Sequence, residues 1–286
     1  MRTGRFTFYT VPFTSMTPSY VVLEKKLGQT PLQAIDAWRL THPEYKDTPA
    51  TYAGRLDPMA TGKLLVLLGE ECKKQESYRG LDKEYEIEVL LDFSTDTGDV
   101  LGMPTYGSTE THPSVEQVRR VLRQETGTKT VPYPPFSSKT VNGKPLFLYA
   151  LEGTLDTISI PSHKEKVYAI SYAGQQKVRK EDLEKRITTI IAKAPRTNQP
   201  SKELGADFRQ SEIGSTWHDA FSAMEDRVFT VLTLRVTCAT GTYMRTLAQR
   251  VGMGLGTQGL ALSIARTRVG RFSPFLGLGL WTRQFK

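Results

Sequence analysis

With 286 residues, 38% hydrophobic and 24% charged, the chain can bury a core in one large domain or two modest ones, which excludes a disordered protein. Cys72 and Cys238 lie far apart with no C-x-x-C, and the four histidines lack ligand spacing, which excludes a disulfide framework and a zinc site. No apolar run reaches the ~18 residues that span a bilayer, and the opening MRTGRFTFYTVPFTS has no signal-peptide core, so a cytoplasmic protein is expected. The net charge of +8 sits in one place: Arg235 to Lys286 holds seven Arg, one Lys and no Asp or Glu. Such a flank predicts binding to a polyanion, since Arg suits phosphate geometry and counterion release drives the association.

In chain order, Tyr20 to Leu23 reads as a short buried strand and Pro31 to Leu40 as a helix. Leu64 to Leu68 is an uninterrupted apolar run, short enough to favour a strand over a helix. Lys83 to Asp92 alternates, with Tyr85, Ile87, Val89 and Leu91 on one face and Glu84, Glu86 and Glu88 on the other, as in a half-exposed antiparallel strand. The turn-like TDTGD follows, then a helix over Ser114 to Glu125. No regular element explains VPYPPFSSKTVNGKPLF, and an ordered loop of that length is more often functional than idle. Val167 to Tyr172 and Val228 to Cys238 read as strands of one hairpin, with residues 174–226 inserted between them. That insertion carries an amphipathic helix over Lys180 to Ala194, then a polar loop rich in Pro, Ser and Asn. More strands than helices, without regular βα alternation, predict an α+β fold on a mixed, mainly antiparallel sheet.

Asp57 is the first candidate for chemistry, in AGRLDPMATG at the edge of the apolar run. Before Pro58 it fits a helix N-cap. It also fits a carboxylate nucleophile or base, which would need a cation to stay ionised against desolvation. Arg245 supplies one: CATGTYMRTLAQRVG runs from a strand end into a helix that Thr240 or Thr242 would cap. A cation in the first turn opposes the helix dipole by roughly 0.3–1 kcal/mol, so an anion should face it. Tyr85 is either core or a ring that stacks on a base. Asp99 is either a turn residue or a partner of Arg245 or Tyr85. Asp92, Asp96 and Asp99 have poor spacing for a metal loop. A P-loop, a G-x-G-x-x-G turn, a G-x-S-x-G elbow and H-E-x-x-H are all absent, leaving a site without metal or cofactor.

From about Tyr20 to Phe275 the chain resembles the TruB-type pseudouridine synthases, which isomerise uridine 55 in the T-loop of tRNA. The likeness rests on VVLEKKLGQTPLQAI, AGRLDPMATGKLLVLLGE, DKEYEIEV with TDTGDVLG, PPFSSKTVNGKPLFLYALEG, CATGTYMRTLAQRVGMGLG and SIARTRVGRF, in the family's order. It implies the pseudouridine synthase fold with a central cleft, Asp57 as the nucleophile, Arg245 as its partner and Tyr85 as the stacking ring. It also implies that a loop over residues 131–153, with Lys139 and Lys144, clamps the T-arm, and that Ile264 lines the pocket. Tyr52, Arg55 and Asp99 would complete the base-holding region, and Arg266, Arg268 and Arg271 would reach phosphates. Departures from the family pattern are Tyr52 for a His, Arg55 for a small residue, Lys26 for a Pro, and the 174–226 insertion. The chain stops soon after the closing motif, so a single catalytic domain without the C-terminal PUA domain is expected, acting as a monomer. The alternatives are an RNA chaperone on the same fold and a synthase for another RNA site.

Overall fold

The structure is a computed structural model that describes residues 18–107, 110–194, 209–275 and 278–286. The first half runs β1 (Tyr20–Lys25), α1 (Pro31–Thr41), β2 (Ala50–Tyr52), β3 (Ala60–Leu68), α2 (Gln75–Arg79), β4 (Asp82–Leu91), β5 (Phe93–Thr95) and β6 (Pro104–Tyr106). Next come α3 (Val115–Glu125), β7 (Gly127–Pro132), the small hairpin β8 (Thr140–Val141) and β9 (Lys144–Pro145), and α4 (Leu146–Leu151). The remainder is β10 (Ser162–Arg179), α5 (Lys180–Ala192), α6 (Gln210–Ser222), β11 (Val228–Cys238), α7 (Met244–Gly254), β12 (Gly259–Phe275) and β13 (Leu278–Phe285).

One large sheet organises these elements in the order β1-β3-β12-β4-β11-β10-β7, with β2 added to β3 and β13 to β12. Its pairings are antiparallel except β3 with β12, which run parallel. The apolar run predicted as a strand is the buried end of β3, and its leucines and valine face both sides of the sheet. Leu64, Val66 and Leu68 pack with Ala34 and Ile35 of α1, while Leu65 and Leu67 pack with Tyr78, Val269 and Phe285. A continuous apolar run is what a strand covered on both faces requires. Helix α1 forms because Thr30 and Gln33 close a reciprocal capping box and Pro31 presets the first turn.

Strand β4 is more central than its alternation suggests. It lies between β11 and β12, and its glutamates are met by other groups. Arg186 of α5 and Ser263 both bond to Glu88, and Thr267 donates to Glu84. The polar face is therefore partly covered, not half-exposed.

Between β10 and β11 the connection is longer than a hairpin but starts later than expected. Strand β10 continues to Arg179 and β11 opens at Val228. Helix α6 was not visible in the sequence, and it joins the main core through Ile213, Trp217 and Phe221 beside Leu183 and Ile187 of α5. The Trp217 indole donates to the Val100 carbonyl at 3.1 Å, so this connection leans on the segment that follows β5. The polar Pro/Ser/Asn-rich loop expected there lies outside the described residues.

The parallel β3–β12 contact is unusually close. Gly62 has φ of 96°, and a Cβ there would lie 2.3 Å from the Arg266 carbonyl oxygen. Gly69 also has positive φ, 57°, but faces open space. Replacing Gly69 by Ala should cost only the left-handed strain of about 1–2 kcal/mol. Gly62→Ala must also push β12 from β3 and should cost about 3 kcal/mol or more. Urea unfolding of the two variants checks the difference.

Candidate active site

Asp57 does not cap a helix. Residues 57–60 form a tight turn in which the Ala60 amide donates to the Asp57 carbonyl at 3.0 Å, and β3 starts at Ala60 itself. Pro58 occupies the second position of that turn, where its fixed φ fits. The turn is held from beneath by Lys25, whose buried ammonium donates to the carbonyls of Ala60 at 2.6 Å and Pro58 at 3.3 Å. The side chain of Asp57 is 40% exposed.

Arg245 is buried and reaches Asp57 across 188 positions of sequence, with Nε donating to Oδ2 at 2.9 Å. Its Nη1 donates to the Thr97 carbonyl at 2.7 Å and its Nη2 to the Phe136 carbonyl at 2.9 Å. Asp99 Oδ2 lies 3.7 Å from Nε. Burial works against the Arg245 charge, but Asp57 and Asp99 outweigh it and raise its pKa above the ordinary value. Among the described residues no hydrogen bond reaches Asp57 Oδ1, so one carboxylate oxygen is fixed and the other is open.

The helix that carries Arg245 is not capped as the sequence suggested. Tyr243 is its N-cap, and Thr242 donates to the Ala239 carbonyl instead. The Tyr243 amide donates to Glu165 Oε1 at 3.0 Å, and Glu165 also accepts from Arg250. A carboxylate from β10 thus meets the positive end of α7, which the first-turn Arg245 would otherwise burden. Glu165 carried no signal in the sequence, because it lies on a strand 78 residues away.

Asp99 is buried in the turn after β5, where Oδ1 accepts from Thr97 Oγ1 and from the Leu101 amide, both at 2.9 Å. Burial pushes its pKa up to about 6, with Arg245 pulling in the opposite direction. Tyr85 is half-buried on β4, opposite Val236 and Arg266, and packs on the core cluster that contains Ile264, Leu56 and Met59. Burial raises the pKa of its hydroxyl, which keeps it protonated near neutrality, while Arg266 opposes the shift. Ile264 is buried beside Ala60, the residue that ends the Asp57 turn.

Other expected contacts are not assembled here. Tyr52 packs with the α1 cluster on β3, and Arg55 is exposed. Lys144 is paired with Glu152 and lies over the Tyr149 ring, and Lys139 lies 5.3 Å from the Tyr133 ring centre. The expectation that Arg266 reaches a phosphate is overturned. Its side chain is 1% exposed, Nε donates to the Lys63 carbonyl at 2.7 Å and Nη2 to the Gly54 carbonyl at 3.1 Å. It pins the start of the Asp57 loop to β3. Arg235 lies near Glu86 and Arg250 bridges Glu125 and Glu165, so much of the basic flank is neutralised within the fold. Arg268, beside Glu84 but 44% exposed, and Arg271 remain at the surface.

The raised pKa of Asp99 has a consequence for stability. Between pH 3.8 and about 6 the folded chain keeps a proton that the unfolded chain has lost, and this contribution disappears as pH rises through the folded pKa. Asp99→Asn removes that term. Its stability relative to the parent should therefore rise from pH 4 to pH 7 by up to roughly 3 kcal/mol, as read by denaturant melts at each pH.

Comparison with known proteins places the chain in a family. The family model described as TruB family pseudouridylate synthase (N terminal domain) matches residues 44–189, which include Asp57, Tyr85 and Asp99. The chain is 30% identical over 226 residues to a protein of Nitrosomonas europaea named tRNA pseudouridine synthase B, covering 78% of this chain and 56% of that protein. It is 29% identical to the protein of the same name from Aromatoleum aromaticum, covering 88% of this chain and 63% of the other. The chain thus spans less than two thirds of the length of these two curated relatives. Its fold is similar to that of a chain in the crystal structure of a Cbf5–Nop10–Gar1 complex, with a TM-score of 0.50, 17% identity, and coverage of 88% of this chain and 48% of that one. Among the described residues no helix is long and apolar enough to cross a membrane. The chain belongs to the TruB family of pseudouridylate synthases.

Proposed function

We propose that this chain is a tRNA pseudouridine synthase that isomerises uridine 55 of the T-loop. The observation that carries the proposal is the Asp57–Arg245 pair: a partly exposed carboxylate fixed through one oxygen by a buried guanidinium at 2.9 Å. The reaction breaks the N1–C1′ bond of uridine and forms C5–C1′, with transfer of the C5 proton. Atoms and electrons balance without a co-reactant, so a site built from side chains is sufficient. The names of the relatives, tRNA pseudouridine synthase B, support the choice of tRNA.

Each residue then has a task set by its place. Asp57 offers Oδ1 as the nucleophile, while Arg245 holds Oδ2 in place. The target uridine leaves its stack, at a cost of a few kcal/mol, and enters a pocket walled by Tyr85 and Ile264. Tyr85 offers its ring to the base and, being protonated near neutrality, donates a hydrogen bond. Asp99 holds Arg245 from the second side. Lys139 and Arg55 border the RNA path, with Arg268 and Arg271 as phosphate contacts.

Asp57→Asn preserves the size of the side chain and an acceptor for Arg245 but removes the nucleophile. Pseudouridine formation on a T-arm RNA should fall on the order of 10⁴-fold or more, while RNA affinity stays close to the parent's. Retained product would defeat the proposal, and mapping pseudouridines in cellular RNA with and without the gene separates uridine 55 from another site. Replacing Arg268 and Arg271 by Ala should weaken RNA binding and flatten its salt dependence by about one unit of slope for each arginine removed. Arg266→Ala should instead lower stability and leave that slope unchanged.

A further inference from the structure

The long connection between β10 and β11 is not explained by the chemistry above, yet one of its residues reaches the candidate site. Arg209 immediately precedes α6 and has φ of 53°, a left-handed conformation that a residue with a side chain rarely adopts. Its Nη1 forms an ion pair with Asp96 Oδ2 at 2.8 Å, and its guanidinium carbon lies 4.6 Å from the centre of the Phe136 ring. Both neighbours belong to segments that hold Arg245. Asp96 precedes Thr97, whose carbonyl accepts from Arg245 Nη1, and the Phe136 carbonyl accepts from Nη2.

We propose that Arg209 is a positioning residue that straps the turn after β5 to the Phe136 segment and so fixes the two carbonyls that aim Arg245 at Asp57. The strap is well founded on the Asp96 side. Asp96 Oδ1 accepts from the Met103 amide at 2.9 Å, and a Cβ on Gly102 would lie 2.5 Å from that same oxygen. Asp96 is therefore locked to its own loop, and force applied through Oδ2 is passed to the Thr97 peptide next to it. On the other side, a planar guanidinium over an aromatic face fixes the ring and, through it, the Phe136 backbone. Two of the three hydrogen bonds of Arg245 thus end on segments that Arg209 joins. Each loop is also anchored on its own, by Gln249 Nε2 donating to the Thr95 carbonyl and by the Phe147 amide donating to the Ser137 carbonyl. Arg209 of the β10–β11 connection joins the two loops to each other at a distance from the reacting atoms.

This proposal rests on the reading of Asp57 and Arg245 as the reacting pair, so its test has a readout independent of activity. The full chain is compared as parent, Arg209→Met, Arg209→Lys and Ile187→Ala, the last a core cavity elsewhere in the same connection. The first measurement is the Nε–H resonance of Arg245, assigned by its loss in Arg245→Lys. The second is the single-turnover rate and Kd for a T-arm RNA. Arg209→Met should shift or broaden the Arg245 resonance and slow the reaction on the order of 10–100-fold, because small displacements of a catalytic group are costly, with Kd within about threefold. Arg209→Lys keeps the Asp96 ion pair and should recover part of both effects. Ile187→Ala should lower Tm without moving either. An unmoved Arg245 resonance in Arg209→Met overturns the strap, as does an equal disturbance by Ile187→Ala or a rate loss accounted for by Kd alone. If Arg209→Met does not fold, a parent-like resonance and rate in Arg209→Lys support the strap, and an unfolded Arg209→Lys overturns it in favour of a purely structural role. Product formation by Asp57→Asn would sink the proposed function while leaving the resonance result standing.

Discussion

A buried guanidinium must have its N–H groups met, because an unpaired charge in that position costs several kcal/mol. Arg245 meets this requirement with partners from three separate segments: the turn before β3, the turn after β5 and the loop after β7. The demand also runs the other way. The guanidinium in turn joins those segments to one another, so their arrangement and the charge of one side chain are linked. Only one of the partners is an anion in close contact, and it is the one left partly open to solvent. Two neutral carbonyls orient the cation without competing for its charge, which leaves Asp57 as its main electrostatic counterpart.

The buried cations of this region follow a related rule. Lys25 beneath the Asp57 turn, Arg266, and Lys83 on the far side near Arg266 are buried, and each ends on backbone carbonyls. Burial lowers the pKa of both lysines to about 8, with Arg266 adding repulsion, and Asp57 acts in the opposite direction on Lys25. Carbonyl dipoles can solvate a cation but cannot neutralise it. A positive field therefore persists behind the Asp57 turn, and it favours a negative charge in front. This is a different use of basic residues from the one that composition suggests. The segment rich in Arg serves the interior as much as the surface, and Arg266 belongs to the interior.

What the sequence revealed and what it hid divide along chemical lines. Strands β1, β3 and β11 and helices α1 and α3 were legible because apolar period, capping residues and Pro at the first helical position agree with one another. Asp57 and Arg245 were legible because side-chain chemistry is written in residue identity. Thr97 and Phe136 were not, since they contribute carbonyls, which every residue has. Glu165 and Arg209 were missed for a different reason: each acts across the sheet or from a remote connection, with no local spacing to betray it. Composition misplaced Arg266 because a count of charges does not say which side of a strand each one faces. The register that pairs Arg266 with Tyr85 and Gly62 decides that.

The position of Asp57 beside the most apolar run of the chain then has a physical reason. Arg245 fixes only one oxygen of the carboxylate, so the backbone that carries Asp57 must be rigid as well. Strand β3 provides this: Leu64 through Leu68 are at most 2% exposed and packed on both faces, and a strand so covered cannot slip without exposing leucines. Its first residue, Ala60, is gripped by Lys25 on one side and registers with Ile264 on the other. The two residues between Asp57 and that strand, Pro58 and Met59, form a turn, leaving little freedom to wander. Stability of the core and accuracy of the carboxylate are thus carried by one element.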